Sequence, residues 1–324
     1  MLADMKEILI AVSTLLYILG LLGHIFIIVI NIKDFRENKG LSPGDLILLS
    51  LGVSNILLQS DEYIFVICSV LNQACYLGRC FNFADMFCSA VCLWFLTWIC
   101  VFYYVKITNS TQRVLFKLKQ NISVIVPYQL LGTVVGSTII SGTVVLTGDL
   151  TTHVNNTFLT EECPSDGYLF NFLFMYNVYI YLFNVLPFLI MLTCNLLIII
   201  SLRQHTCRME TSPTALSNSH FTVYIRVAKM SASLIFANIL FIADQIYFAV
   251  MLQCKQTALD YTLLLYLMIY PIICTVLLIY GNTKLRKACV NLCQWINSTE
   301  SAKIQVSALL IFSLFKLISD LEKS

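Results

Sequence analysis

Charge is what this chain has least of: only 12% of its 324 residues are Asp, Glu, Lys or Arg, against roughly 25% in a soluble globular domain. With 58% of residues hydrophobic, nearly the whole length goes into apolar runs and the short gaps between them. No room is left for a soluble catalytic or nucleic-acid-binding module. Groupings that chemistry needs are also missing. The histidines are His24, His153, His205 and His220; none stands in His-x-x-His or His-Glu-x-x-His spacing, and no Gly-x-Ser-x-Gly elbow occurs. Neither enzyme activity nor a metal or cofactor is expected. The two halves share no repeat and mid-run charges are sparse, whereas a transporter normally builds its path from both. A small-molecule transporter is therefore the alternative from another class. The last apolar run has no Lys to carry a retinal Schiff base.

What is present is a sevenfold alternation. Runs near 8–32, 45–71, 81–105, 123–147, 171–202, 223–252 and 260–280 are each long and apolar, and a bilayer core needs about 20 such residues per helix. If alternate gaps face the cytoplasm, 17 of the 20 Lys and Arg lie inside, leaving Lys6, Arg79 and Lys255 outside. The positive-inside rule then puts the amino terminus outside. The expected fold is an all-α membrane protein: a seven-transmembrane helix bundle over residues 1–288, then a cytoplasmic tail over 289–324 opening with a short amphipathic helix. The first run lacks a basic leader and a small-residue cleavage site, so it reads as a retained span. The expected location is the plasma membrane, multi-pass.

Six of the 13 cysteines, Cys68, Cys88, Cys92, Cys100, Cys194 and Cys274, fall within spans, where a thiol behaves as a small hydrophobe. Cys75, Cys80, Cys163 and Cys254 lie in or near outer loops, and Cys80 with Cys163 is one candidate oxidised pair. Cys289 and Cys293 follow the last span, where juxtamembrane Cys is either palmitoylated or simply packed. Of the sequons at Asn109, Asn121, Asn155 and Asn297, topology leaves Asn155 as the glycosylation site. The segment around Asn155 reads as the longest outer loop and a lid. QRVLFKLKQ suits the lipid headgroup level, and the stretch around Pro213 reads as a flexible third inner loop. The apolar tail run near 304–319, interrupted by Lys316, either lies on the membrane or packs against the bundle.

The ends of the runs carry a resemblance. GLLGHIFIIVINIKD, LSPGDLILLSLGVSNILLQ, LWFLTWICVFYYVKITNST, PFLIMLTCNLLIIISLRQH and YPIICTVLLIYGNTKLRKA occur in the order and on the side where the type 2 taste receptors have similar segments. The chain is identified as resembling that family of bitter-sensing G-protein-coupled receptors, with type 1 vomeronasal receptors as the nearest alternative. The resemblance implies a bitter-type small-molecule agonist and a heterotrimeric G protein of the gustducin or inhibitory class as partners, besides membrane lipid and with no nucleic acid. Three positions depart from the family pattern: His24 stands for Asn, Asn55 for Arg and Cys274 for His. These sites link spans one, two and seven, and a His24–Asn55 hydrogen bond is expected to replace the missing Arg contact. A lone intramembrane His such as His24 is more often a helix–helix hydrogen-bonding residue than a ligand.

Asp61, Glu62, Asp85 and Asp244 lie toward the outer ends of their spans. Charges gathered near one face describe a cup open to the outside rather than a pore. The resemblance puts ligand contacts between the outer halves of spans two, three, five, six and seven. Candidate ligand-binding residues there are Glu62, Asp85, Ser89, Trp94, Tyr179, Asp244, Tyr247 and Tyr266. A desolvated Asp85 would attract a basic amine, and the tyrosines would give cation–π contacts or else anchor the membrane interface. For G-protein coupling the resemblance implies Tyr103, Lys106, Ser201, Leu202, His205 and Lys229.

Overall fold

The computed structural model describes residues 2–70, 78–108, 113–157, 174–210, 218–253 and 261–298. They form seven long helices and a shorter eighth: α1 (Leu2–Asn38), α2 (Pro43–Val70), α3 (Gly78–Ile107), α4 (Arg113–Thr157), α5 (174–210), α6 (Asn218–Gln253), α7 (Tyr261–Gly281) and α8 (Thr283–Ser298). Over its described residues each apolar run of the sequence lies on one long helix, and α4 overruns its run by ten residues at each end. Among the described residues, four stretches are long and apolar enough to cross a membrane: Lys6–Asn38, Asn82–Ile107, Phe116–Thr147 and Phe174–Ser201. A shorter apolar stretch is Ala228–Ala243, and α7 with α8 forms a pair bent by 97°. α2 is interrupted by Asn55, Gln59, Asp61 and Glu62, polar positions that the bundle buries in whole or in part.

Local chemistry sets the ends and irregularities. Lys39, at φ 52°, closes α1 in the left-handed conformation that satisfies a helix C-terminus. Ser42 opens α2 as its N-cap: its Oγ accepts from the Asp45 backbone N–H at 3.2 Å and donates to Asp45 Oδ2 at 2.7 Å. In α5, Pro187 has no N–H to offer the carbonyl one turn earlier, and the helix widens there into a π turn over Tyr181–Val185. Asn282 separates α7 from α8 and caps the latter, its Oδ1 accepting from Lys284 N at 2.9 Å and Leu285 N at 3.3 Å.

α3 is the axis of the bundle: 61% of its apolar window is buried, against 22% for α1. Its Val91, Leu93, Phe95, Leu96 and Ile99 pack with Ile27, Leu48, Leu51, Met191, Leu234 and Phe241 from the surrounding helices. Ile25, Val29 and Ile32 on α1 and Val124, Leu131 and Val135 on α4 point outward. That inverted face is what a lipid solvent permits. With no hydrophobic drive between helices in lipid, close approach and interhelical hydrogen bonds hold the bundle.

Three expectations about loops change. Helix α4 starts at Arg113, so QRVLFKLKQ lies largely on it, with Phe116, Lys117 and Lys119 exposed. The same helix runs on to Thr157, because no proline follows Pro127 before Pro164; the start of the expected outer loop is thus helical. At the third inner loop α5 continues to Glu210 and α6 begins at Asn218, so the loop is shorter than read from Arg203 onward. The amphipathic helix after α7 begins at Thr283. Its Leu285 and Cys289 are buried while Lys287 and Trp295 are exposed. Burial pushes the Cys293 thiol up, which disfavours the reactive thiolate. Cys75, Cys163 and Cys254, the Cys80 side chain and the apolar tail lie outside the described residues.

Candidate functional site

α2 and α3 run antiparallel, so Asp61 and Glu62, near the far end of α2, meet Asp85, near the start of α3. Asp61 and Asp85 are half-buried and Glu62 is buried. The Cys88 thiol lies within electrostatic reach of all three carboxylates, and Asp61 within reach of Asp85. α2 contains no Lys or Arg. Ser89 is buried beside the Asp85 carboxylate one helical turn away. The hydroxyls of Tyr176 and Tyr179 on α5 also feel Asp85. This end of the bundle gathers negative charge beside aromatic rings, a setting that can hold a cation.

Tyr179 has a role the sequence did not indicate. It is 1% exposed, donates to the Met86 carbonyl at 2.9 Å and stacks on Phe183 at 5.8 Å, so it locks α5 to α3 and is not an interface anchor. Tyr176, one turn earlier, is partly exposed and lies 6.2 Å from the Tyr179 ring; it is the aromatic of α5 that sequence reasoning missed. Trp94 is tilted on Trp98 at 5.4 Å and its buried indole N–H makes no hydrogen bond. Trp98 donates to Thr133 of α4 at 3.0 Å. Asp244, Tyr247 and Tyr266 sit in α6 and α7, but their side chains fall outside the described residues, as does that of Asn155 in the last turns of α4.

Roughly 24 Å away along α2, at 1.5 Å per residue, lies a second constellation. Lys284 of α8 donates through Nζ to Asn31 Oδ1 at 2.7 Å, Asp34 Oδ2 at 3.2 Å and Asp45 Oδ1 at 2.6 Å. One ammonium with three donors thereby ties α8 to α1 and α2. Tyr103, at the same end of α3, faces the Asn282 side chain and lies near Asp45. Lys106 is exposed, with its ammonium 5.7 Å from the Phe102 ring. Ser201 is partly buried on α5 and Lys229 is exposed on α6; the side chains of Leu202 and His205 lie outside the described residues. The Lys284 clamp was not foreseen. Its four residues stand in three of the fragments that carried the resemblance, yet only the fold brings them together.

Between the two ends the expected His24–Asn55 bond is not made. His24 is fully buried and its Nδ1 lies 2.8 Å from Thr275 Oγ1, which also donates to the Pro271 carbonyl at 3.0 Å. When the single hydroxyl proton of Thr275 goes to Pro271, its oxygen accepts from His24 Nδ1–H; in the other tautomer the hydroxyl donates to Nδ1. The reason is geometric: a Cβ on Gly23 would come within 2.6 Å of Thr275 Cγ2, so α1 and α7 touch here and His24 reaches α7 first. Asn55 is 1% exposed and neither amide atom makes a hydrogen bond, while Cys274 is a fully buried free thiol. Thr275→Val should leave the buried His24 Nδ1 unpaired in either tautomer, at a cost of about 1–3 kcal/mol. A lower midpoint in a thermal melt of the detergent-solubilised chain, read by a thiol-reactive dye on the buried cysteines, checks this.

Among the described residues no group of three or more His, Cys, Asp or Glu is placed to hold a metal ion. Compared with known proteins, residues 1–297 match the model of the family described as "Taste receptor protein (TAS2R)". Taste receptor type 2 member 114 of Mus musculus is 28% identical over 310 residues, covering 94% of this chain and 98% of that protein. Taste receptor type 2 member 4 of Pongo pygmaeus is 32% identical over 228 residues, 67% of this chain and 73% of that one. Among solved structures, squid rhodopsin aligns with a TM-score of 0.57 at 13% identity, covering 96% of this chain and 91% of its own. That likeness speaks to the fold alone.

Proposed function

Since the chain belongs to the taste receptor (TAS2R) family and is thus a chemosensory G-protein-coupled receptor, we propose that it detects bitter-type small molecules at its carboxylate end and signals to a gustducin-like G protein at its clamp end. The observation that carries the reading is the meeting of Asp61, Glu62 and Asp85 beside Tyr176, on helices whose other ends present Tyr103 and Lys106. In this reading the bundle spans the membrane seven times with the amino terminus outside, so the carboxylates face the extracellular medium. Asp85 ion-pairs a basic amine, with Ser89 and Trp94 offering a hydroxyl and an indole N–H along the same helix. An agonist activates only through tighter binding to the active arrangement than to the resting one.

The test is intracellular calcium in cells carrying the chain and a promiscuous or gustducin-like G-protein chimera, challenged with a panel that includes basic amines. Asp85→Asn should raise the half-maximal amine concentration at least about tenfold and leave neutral agonists unaffected at equal surface expression. Equal responses of Asp85→Asn and the parent to every amine would remove Asp85 from the site. A calcium signal indifferent to the chimera would favour transport instead.

A further inference from the structure

α6 is attached to the bundle at two places of different character. In its middle, Asn238 accepts from the Tyr270 hydroxyl of α7 and donates to Met191 Sδ of α5 at 3.5 Å, and Phe241 stacks on Tyr270 at 4.3 Å. Toward the clamp end, Met230 is 1% exposed and lies directly over Gly281, the last residue of α7. A Cβ built on Gly281 would meet Met230 Sδ at 1.8 Å, Cγ at 2.6 Å and Cβ at 2.9 Å. A rotamer change could clear the first two atoms. It cannot clear the third, because Met230 Cβ is fixed to the α6 backbone.

We propose that Gly281 and Met230 form the seat that holds the clamp end of α6 in its resting position, with the Asn238–Phe241–Tyr270 contacts acting as the pivot. The inference rests on the reading that this end couples to a G protein. Gly281 is bounded on its other side by Asn282 and the Lys284 clamp, so α7 and α8 form a fixed wall. Met230 belongs to α6, which in this proposal is the helix that leaves the wall when a cleft for the G protein opens. The seat therefore sets the resting-to-active ratio and neither residue need touch ligand or G protein; both are positioning residues.

The test uses size exchange. Gly281→Ala overpacks the seat and Met230→Ala empties it, so each alone should weaken the resting position. Together the added methyl takes the space that Met230 Sδ and Cγ give up, leaving only the 2.9 Å approach to the retained Cβ at position 230, and the resting position should return in large part. The first readout is the distance between labels carried by non-natural residues replacing the exposed Lys119 of α4 and Ile225 of α6 in the full purified chain. The second is agonist-free activation of the G-protein chimera at matched surface expression. Each single variant should populate longer label distances and raise agonist-free signalling at least about threefold, and the double variant should return both toward the parent. Unchanged distances in both single variants, or a double variant that adds their effects, would overturn the seat. Lengthened distances restored in the double variant, with no G-protein signal from any variant or from the parent under agonist, would uphold the seat and overturn the coupling reading. If Gly281→Ala does not reach the surface, Met230→Ala alone decides by the same distances.

Discussion

Lys284→Met should lower the melting midpoint of the receptor by about 3 °C and reduce the amount reaching the cell surface, and Asp34→Asn in the same chain should recover a good part of both. The lysine and its two acids are mostly shielded: side-chain exposure is 29% for Lys284, 26% for Asp34 and 14% for Asp45. Exposed ion pairs contribute about 0–1 kcal/mol, whereas removing one member of a buried pair costs about 3–5 kcal/mol. A mostly shielded ammonium shared by three acceptors falls between, near 2 kcal/mol; at about 2.1 cal/mol/K of unfolding entropy per residue, each 1 kcal/mol moves the midpoint of a chain of 324 residues by about 1.5 °C. Methionine keeps most of the stem packing but leaves two carboxylates facing each other without a cation. Neutralising Asp34 removes that repulsion. Each acid also accepts through its other oxygen, Asp34 from Asn38 Nδ2 and Asp45 from the Ser42 hydroxyl; Asp45 is the poorer choice for rescue because its contact is with the cap of α2. A midpoint for Lys284→Met within 1 °C of the parent would mean that the clamp is solvated in the membrane-embedded protein and holds nothing.

The helices were legible because apolar length is a one-dimensional signal: each run from 8–32 to 260–280 needs only its own residues to form a helix. The charged and polar residues of those helices were legible by position but not by partner. Asn31, Asp34, Asp45 and Lys284 could be read as parts of family-like segments, yet Lys284 is separated from the others by most of the chain, and only the packing of α8 under α1 and α2 joins them. The same limit explains His24. Sequence reasoning matched it with Asn55 because both depart from the family pattern, while the close approach at Gly23 delivered it to Thr275. Tyr179 and Tyr176, three residues apart, show how finely a helix divides roles: one is a core residue bonded to Met86, and the other is partly exposed beside Asp85. No hydropathy pattern separates two tyrosines on one apolar helix.

Those two kinds of information meet at Gly20, where the second of the large effects is expected. A Cβ there would lie 2.2 Å from both terminal atoms of the Gln59 amide and 2.5 Å from its Cδ. Gln59 is fully buried and its Nε2 donates to the Leu16 carbonyl at 3.1 Å, the bond that crosses from α2 to α1. Gly20→Ala must therefore either part the two helices or swing the amide out of that bond. Overpacking costs about 1–3 kcal/mol, and a buried amide deprived of its partner costs about 1–3 kcal/mol more. Lipid offers the displaced amide no water in exchange. The expected result is a loss of about 2–5 kcal/mol, read as a sharp fall in melting midpoint and in surface expression. Gln59→Ala introduced with Gly20→Ala removes the colliding group and the unsatisfied amide together. The double variant should then be more stable than Gly20→Ala alone, a coupling of at least about 1 kcal/mol between positions in contact. Additive losses would show instead that the amide moves freely out of the way and that glycine at this position serves something other than the approach of α1 to α2.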